Sequence, residues 1–211
     1  MIGLDAGFWA AAVDRLAAVF AAEETVLCGY DGAIGDGDHG SSMLRGFQDA
    51  RNSLGEHPAA GPGDVLARTG EAFMENVGGV TGMIFGTLFT ALGSHAAARA
   101  DTAVLHEMFA AGLAAVRRVG KVSEGDKSVV DALAPAVMAL KKAAESGLPP
   151  AAALQEAARA AEAGRDATVG MEARVGRARY QAGRGRGHID AGAASMCLIF
   201  QALARAAAEV R

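Results

Sequence analysis

Three aspartates and a histidine fall within nine residues at Asp31, Asp36, Asp38 and His39. They lie in the stretch Cys28 to Gly40, CGYDGAIGDGDHG, which has glycine at positions 29, 32, 35, 37 and 40. Carboxylates crowded this closely repel one another by roughly 1–4 kcal/mol per close pair. A hard cation between them relieves that repulsion, because Mg²⁺ and Ca²⁺ prefer oxygen ligands. The glycines let a short loop turn sharply enough for the carboxylates to converge. Taken alone, the stretch is equally compatible with a solvated acidic turn.

Three other segments concentrate glycine or charge. NVGGVTG (Asn76 to Gly82) is a second glycine cluster, and VGKVSEGDKS (Val119 to Ser128) mixes glycine with both signs of charge. The segment from Gly170 to Asp190 holds Arg174, Arg177, Arg179, Arg184 and Arg186 with few apolar anchors, and reads as a mobile lid. A connection that long is unusual in a compact domain and often functional.

The elements that must position these loops read as helices. Apolar residues at helical spacing mark Phe8–Leu27, then Met43–Leu54 with Ser41 or Ser42 as its N-cap, then a third helix opened by Pro62. A fourth follows the glycine cluster, a fifth spans Leu105 to Val116, and a sixth begins near Val129 with Pro135 inside it. An Ala-rich seventh covers Ala151 to Ala167, and an eighth runs from Ala191 to about Val210 with Asp190 as N-cap. Met83, Met138 and Met196 read as packing residues, and no segment alternates as a strand would.

Eight helices with short connections pack as antiparallel neighbours, so odd-numbered connections share one end of the bundle. The odd connections are the acidic stretch, NVGGVTG, VGKVSEGDKS and the arginine segment. Every chemically loaded loop therefore falls on one rim. Clustered carboxylates, glycine loops at helix N-termini and an arginine lid suit a Mg²⁺–polyphosphate complex.

Composition agrees with a helical chain. It is 51% hydrophobic but only 5% aromatic, which favours helices packed through small side chains over a β-sandwich. A net charge of −4 leaves no basic footprint for nucleic acid. Cys28 and Cys197 show no paired spacing and suit a reducing, cytoplasmic setting. Neither a signal peptide nor a membrane span is expected. Gly35 to Gly40 matches GxGxxG, but no strand precedes it and its acidic residues would repel a pyrophosphate. GKVSEGDKS misses a P-loop because Asp126 separates the glycine from the lysine, and an EF-hand lacks its final glutamate.

DGAIGDGDHG with RGF soon after, VGGVTGMIFGTLF, GDKSVVDALAP and GRARY…GHIDAGAASM resemble, in order, the signature segments of the nucleotide-binding L subunit of dihydroxyacetone kinases. The resemblance covers nearly the whole chain, 1–211, as one domain with a lid at about 170–190. It implies an all-α, eight-helix antiparallel up-and-down barrel with ADP or ATP and two Mg²⁺ at one rim. By motif it assigns Asp31, Asp36 and Asp38 to the metals, and His39, Gly40, Ser41 and Ser42 to the nucleotide phosphates. Val80, Thr81, Gly120 and Val129 would line the nucleotide, with Asp190, Ala191 and Gly192 closing over it and Arg177 acting catalytically.

The implied partner is a K-type subunit that holds a short ketose. A phosphohistidine carrier and a homodimer are further partners left open. Ser42 stands where the best-known members have Asn, Ala191 replaces a proline, and the lid is more basic than usual, which leaves the sugar and partner open. Competing functions are a stand-alone Mg²⁺-dependent phosphohydrolase and a nucleotide-loaded regulatory binding partner. Lys127 reads as either solvated or carboxylate-paired, His188 as a neighbour of the site, and Asp131 as a structural cap.

Overall fold

The computed structural model describes residues 3–210, apart from the side chain of Arg184. Its helices are α1 (Ala6–Gly32), α2 (His39–Glu56), α3 (Pro62–Asn76), α4 (Gly79–Ser94), α5 (Thr102–Gly120), α6 (Val130–Glu145), α7 (Pro150–Ala167) and α8 (Ala191–Glu209). Each helix packs on the next in sequence and α8 packs on α1, which closes the ring. Among the described residues no strand forms, only an isolated antiparallel bridge between Leu4 and Ala100.

Two boundaries differ from the sequence reading. Helix α1 continues through Cys28 to Gly32, so Asp31 sits in its last turn and the acidic connection shrinks to residues 33–38. Helix α2 starts at His39 with Asp38 in the N-cap position, not Ser41 or Ser42. The Ser41 hydroxyl instead donates to the Asp38 carbonyl at 2.9 Å. Glycine's weak helix propensity placed these ends too early and too late; packing against neighbouring helices overrides it.

A single apolar core threads all eight helices. Phe20 of α1 stacks on Phe47 of α2 at 4.9 Å, and Phe47 meets Phe73 of α3 and Phe89 of α4 edge-on. Phe109 of α5 and Phe200 of α8, which are not sequence neighbours, meet at 4.7 Å across the ring. Helix α7 buries Ala153, Leu154, Ala157, Ala158 and Ala161, a stripe of mostly methyl-sized side chains that lets it approach closely.

Met196 is fully buried, but Met83 and Met138 are about half exposed. Helix α4 is apolar almost all round, so residue type did not reveal which side faces the core. Helix α8 is long and apolar enough to cross a membrane, and 72% of that stretch is buried inside the ring.

Candidate functional site

The up-and-down order brings the N-termini of α2, α4, α6 and α8 to one rim. Each carries partial positive charge and unpaired N–H groups. At α2 and α4 no side chain caps them. At α8 the Asp190 carboxylate accepts only from the Ala193 N–H, at 2.8 Å.

The acidic turn lies in front of α2. Asp31 Oδ2 accepts from the backbone N–H of Gly37 at 2.8 Å and of Asp38 at 3.1 Å, which folds the turn back over the end of α1. Gly37 makes this possible with φ of +79°, a conformation that L side chains rarely adopt. One carboxylate oxygen from each of Asp31, Asp36 and Asp38 lies within 4.8 Å of the others. Three hard oxygen donors at that spacing fit a Mg²⁺-sized cation.

Asp36 also pairs with Arg177, whose side chain is 70% exposed. The lid therefore touches the carboxylate cluster directly. Between Thr168 and Asp190 the chain forms three short 3₁₀ turns (Thr168–Gly170, Ala178–Tyr180 and Ala182–Gly185) in place of featureless loop. Arg174 reaches the loop before α6 twice, through its N–H to the Asp126 carbonyl at 3.1 Å and through an ion pair with the Asp126 carboxylate at 3.7 Å.

His39 is buried, its Nε2 2.8 Å from the Ser195 hydroxyl and its Nδ1 3.4 Å from that of Thr81. It thus joins the starts of α2, α4 and α8. Burial lowers its pKa to about 4 despite the nearby Asp38 carboxylate, so the ring is neutral at physiological pH. Its first-turn neighbours Gly40, Ser41 and Ser42 follow on α2.

Val80 is two-thirds exposed on α4, beside Thr81. Gly120 ends α5 against Ile84 of α4. A Cβ on Gly192 would lie 3.4 Å from the Val129 backbone nitrogen, so the starts of α6 and α8 are in contact. Burial pushes the Asp190 carboxyl up to about 7, opposed by the Ala193 N–H and by Lys127; Asp131 and Asp31 add to the rise.

Two supports of the site were read in the sequence, Asp131 as a structural cap and Lys127 as solvated or carboxylate-paired, and two more carried little or no signal. Asp131 is buried and bridges two amides of the preceding loop, accepting from Gly125 N–H at 2.5 Å and Ser128 N–H at 2.7 Å. Lys127 is buried with its ammonium on backbone carbonyls, so it is neither solvated nor held by a carboxylate ion pair as the sequence suggested. Ile34 is the apolar residue that seats the acidic turn. Ser195, the partner of His39, is the one serine of α8 and is fully buried, and such a buried hydroxyl must find a partner. His188 is exposed, and its carbonyl rather than its ring is engaged.

The sequence matches the DAK2 domain over residues 33–205. It is 37% identical over 197 residues to the PEP-dependent dihydroxyacetone kinase ADP-binding subunit DhaL of Escherichia coli K12, covering 92% of this chain and 94% of that protein. It is 35% identical to the L-erythrulose kinase of Pectobacterium atrosepticum over 92% of this chain, but over only 34% of that longer enzyme. The crystal structure of the C. freundii dihydroxyacetone kinase in complex with AMP-PNP and Mg²⁺ superposes with a TM-score of 0.70 at 27% identity. That match takes in 93% of this chain and a third of the kinase chain, and the native form of the same kinase gives a TM-score of 0.73. With a closed ring of eight helices, a carboxylate cluster on its rim and sequence identity spread along nearly its whole length, this chain belongs to the DAK2 domain family.

Proposed function

We propose that this chain is the nucleotide-binding subunit of a dihydroxyacetone-type kinase, presenting Mg-ADP or Mg-ATP for phosphoryl transfer to a short ketose on a separate K-type subunit. The observation that carries this reading is the convergence of Asp31, Asp36 and Asp38 to within 4.8 Å, directly before the uncapped N-terminus of α2. In this reading the three carboxylates hold two Mg²⁺ ions, and the whole chain acts as one domain with a lid at about 170–190, in the cytoplasm. Bound Mg²⁺ supplies positive charge that neutralises phosphate oxygens.

The open N–H groups of His39, Gly40 and Ser41, together with the side chain of Ser42, whose own N–H donates to the Asp38 carbonyl, receive the phosphates, aided by the α2 macrodipole. Neutral His39 holds Ser195 and Thr81 and so keeps the starts of α2, α4 and α8 together without adding charge to the site. Val80, Thr81, Gly120 and Val129 line the nucleotide, while Asp190, Ala191 and Gly192 close it from α8. Arg177 is the catalytic cation, an exposed guanidinium on the lid beside the carboxylate cluster, placed to offset charge developing on the transferred group. A phosphohistidine carrier that recharges bound ADP, and a homodimer, are compatible with this arrangement. A stand-alone phosphohydrolase draws less support, since His39, the base it would need, is buried with both ring nitrogens engaged.

The test is calorimetric titration of Mg-ADP into the wild type and Asp36→Asn. The expected result is at least about a tenfold loss of affinity in the variant, the least seen when metal coordination is disturbed. Unchanged affinity and metal stoichiometry would remove the site assignment. Mixing the wild type with a K-type subunit, ketose and donor should give turnover that neither subunit gives alone.

A further inference from the structure

We infer that Lys127 is a positioning residue, a buried cationic staple that fastens both ends of the lid, and with them the start of α8, to the loop before α6. This deepens the nucleotide-site reading above and rests on it for its consequence, though not for its geometry.

Lys127 is only 2% exposed, whereas lysine side chains almost always keep the ammonium in water. Its Nζ donates to the carbonyl of Thr168 and to that of His188, both at 2.5 Å. Thr168 follows the last residue of α7 and His188 lies two residues before Asp190, so one ammonium holds the two points where the lid leaves and rejoins the barrel. The same junction carries a second link, from the Asp190 N–H to the Thr168 hydroxyl at 3.0 Å.

The lysine is itself held in an unusual state. Its φ of +61° is left-handed, a conformation that non-glycine residues seldom take unless their surroundings impose it. Asp131 imposes it by gripping the amides of Gly125 and Ser128 on either side. From the lid, Gly185 completes the enclosure with φ of +70°, and a Cβ there would meet Lys127 Cε at 3.2 Å. Burial lowers the Lys127 pKa, and the Asp190 and Asp131 carboxylates oppose that fall.

A lysine whose ammonium is committed to two backbone carbonyls inside the fold is not a phosphate ligand. Its effect on the site is indirect. It sets where Asp190 to Gly192 stand and limits where Arg177 can travel.

The experiment is hydrogen–deuterium exchange by mass spectrometry on the nucleotide-free chain, comparing wild type, Lys127→Met and Lys127→Leu, with Mg-ADP titration of each. Lys127→Met keeps the aliphatic volume and removes the donors. Exchange in peptides covering residues 168–190 should accelerate by about tenfold or more while α3 and α4 stay within about twofold, the signature of local rather than global opening. Mg-ADP affinity should fall by about tenfold, the loss expected when the bound form must first be assembled from a more open ensemble.

Unchanged exchange at 168–190, or acceleration of α3 and α4 to the same degree, overturns the staple; the latter would mean a general contribution to stability. Should Lys127→Met fail to fold, Lys127→Leu, which also removes the donors, decides by the same local criterion. The two readings fail separately. Faster lid exchange in a chain whose wild type binds no Mg-ADP would sink the nucleotide function and leave the staple standing.

Discussion

His39 couples the stability of the rim to pH, and the size of that coupling follows from its burial. Imidazole ordinarily titrates near 6.5, while burial beneath the starts of α2, α4 and α8 lowers His39 to about 4. Above pH 6.5 the ring is neutral in folded and unfolded chains alike, and no stability is lost through it. Between 6.5 and about 4 the unfolded chain binds a proton that the folded chain refuses, so stability falls as pH falls. Below about 4 both states are protonated and the loss is complete.

At about 1.4 kcal/mol per pH unit of displacement, the full loss is about 3 kcal/mol, and about 2 kcal/mol of it falls between pH 6.5 and about pH 5. The assay is urea unfolding in chelator, followed by the fluorescence of Trp9, the one tryptophan, which is 2% exposed. His39→Gln provides the reference, because an amide can still reach Ser195 but does not titrate. Carboxylates titrate in both proteins and cancel in the difference. The wild type should lose about 2 kcal/mol more than His39→Gln on going from about pH 7 to about pH 5. Parallel stability curves for the two proteins would refute the reasoning.

Two further substitutions test how the rim is built. A methyl at Gly40 would lie 2.1 Å from the Glu24 carbonyl and 2.9 Å from Cys28 Sγ, so Gly40→Ala must pry α2 away from α1 just behind the carboxylate cluster. It should cost about 1–3 kcal/mol, the usual range for overpacking, and weaken Mg-ADP binding, both read by thermal shift with and without ligand. Asp131→Ala strands the amides of Gly125 and Ser128. Both amides are half-buried, so the loss should be toward the low end of the about 1–3 kcal/mol range for an unsatisfied group, and residues 121–128 should open to limited proteolysis.

Much of the fold was legible because helical periodicity and turn residues are local properties. The spacing of Trp9, Val13, Leu16 and Phe20 marks α1, and Pro62 opens α3, as expected. Counting connections then placed the loaded loops on one rim, which needs only antiparallel neighbours. Helix ends were less legible: α1 runs on through Gly29 to Gly32, and α2 begins at His39 and not after a serine cap, since packing can carry a helix through residues of poor propensity. The exposed Met83 shows the same limit, as the face that α4 turns inward depends on its neighbours.

By itself the sequence determined that eight helices form, in what order, and that Asp31, Asp36, Asp38, the glycine loops and the lid arginines share an end. Those facts depend on residue types and on spacings of a few positions along one chain. Only the tertiary structure decided that the three carboxylates come within 4.8 Å, that Arg177 rests on Asp36, that His39 binds Ser195 156 residues away, and that Lys127 points inward to hold the lid. The first depends on how one short turn folds back over the end of α1; the other three are distances between segments far apart in sequence, set by how closely the helices pack around one another.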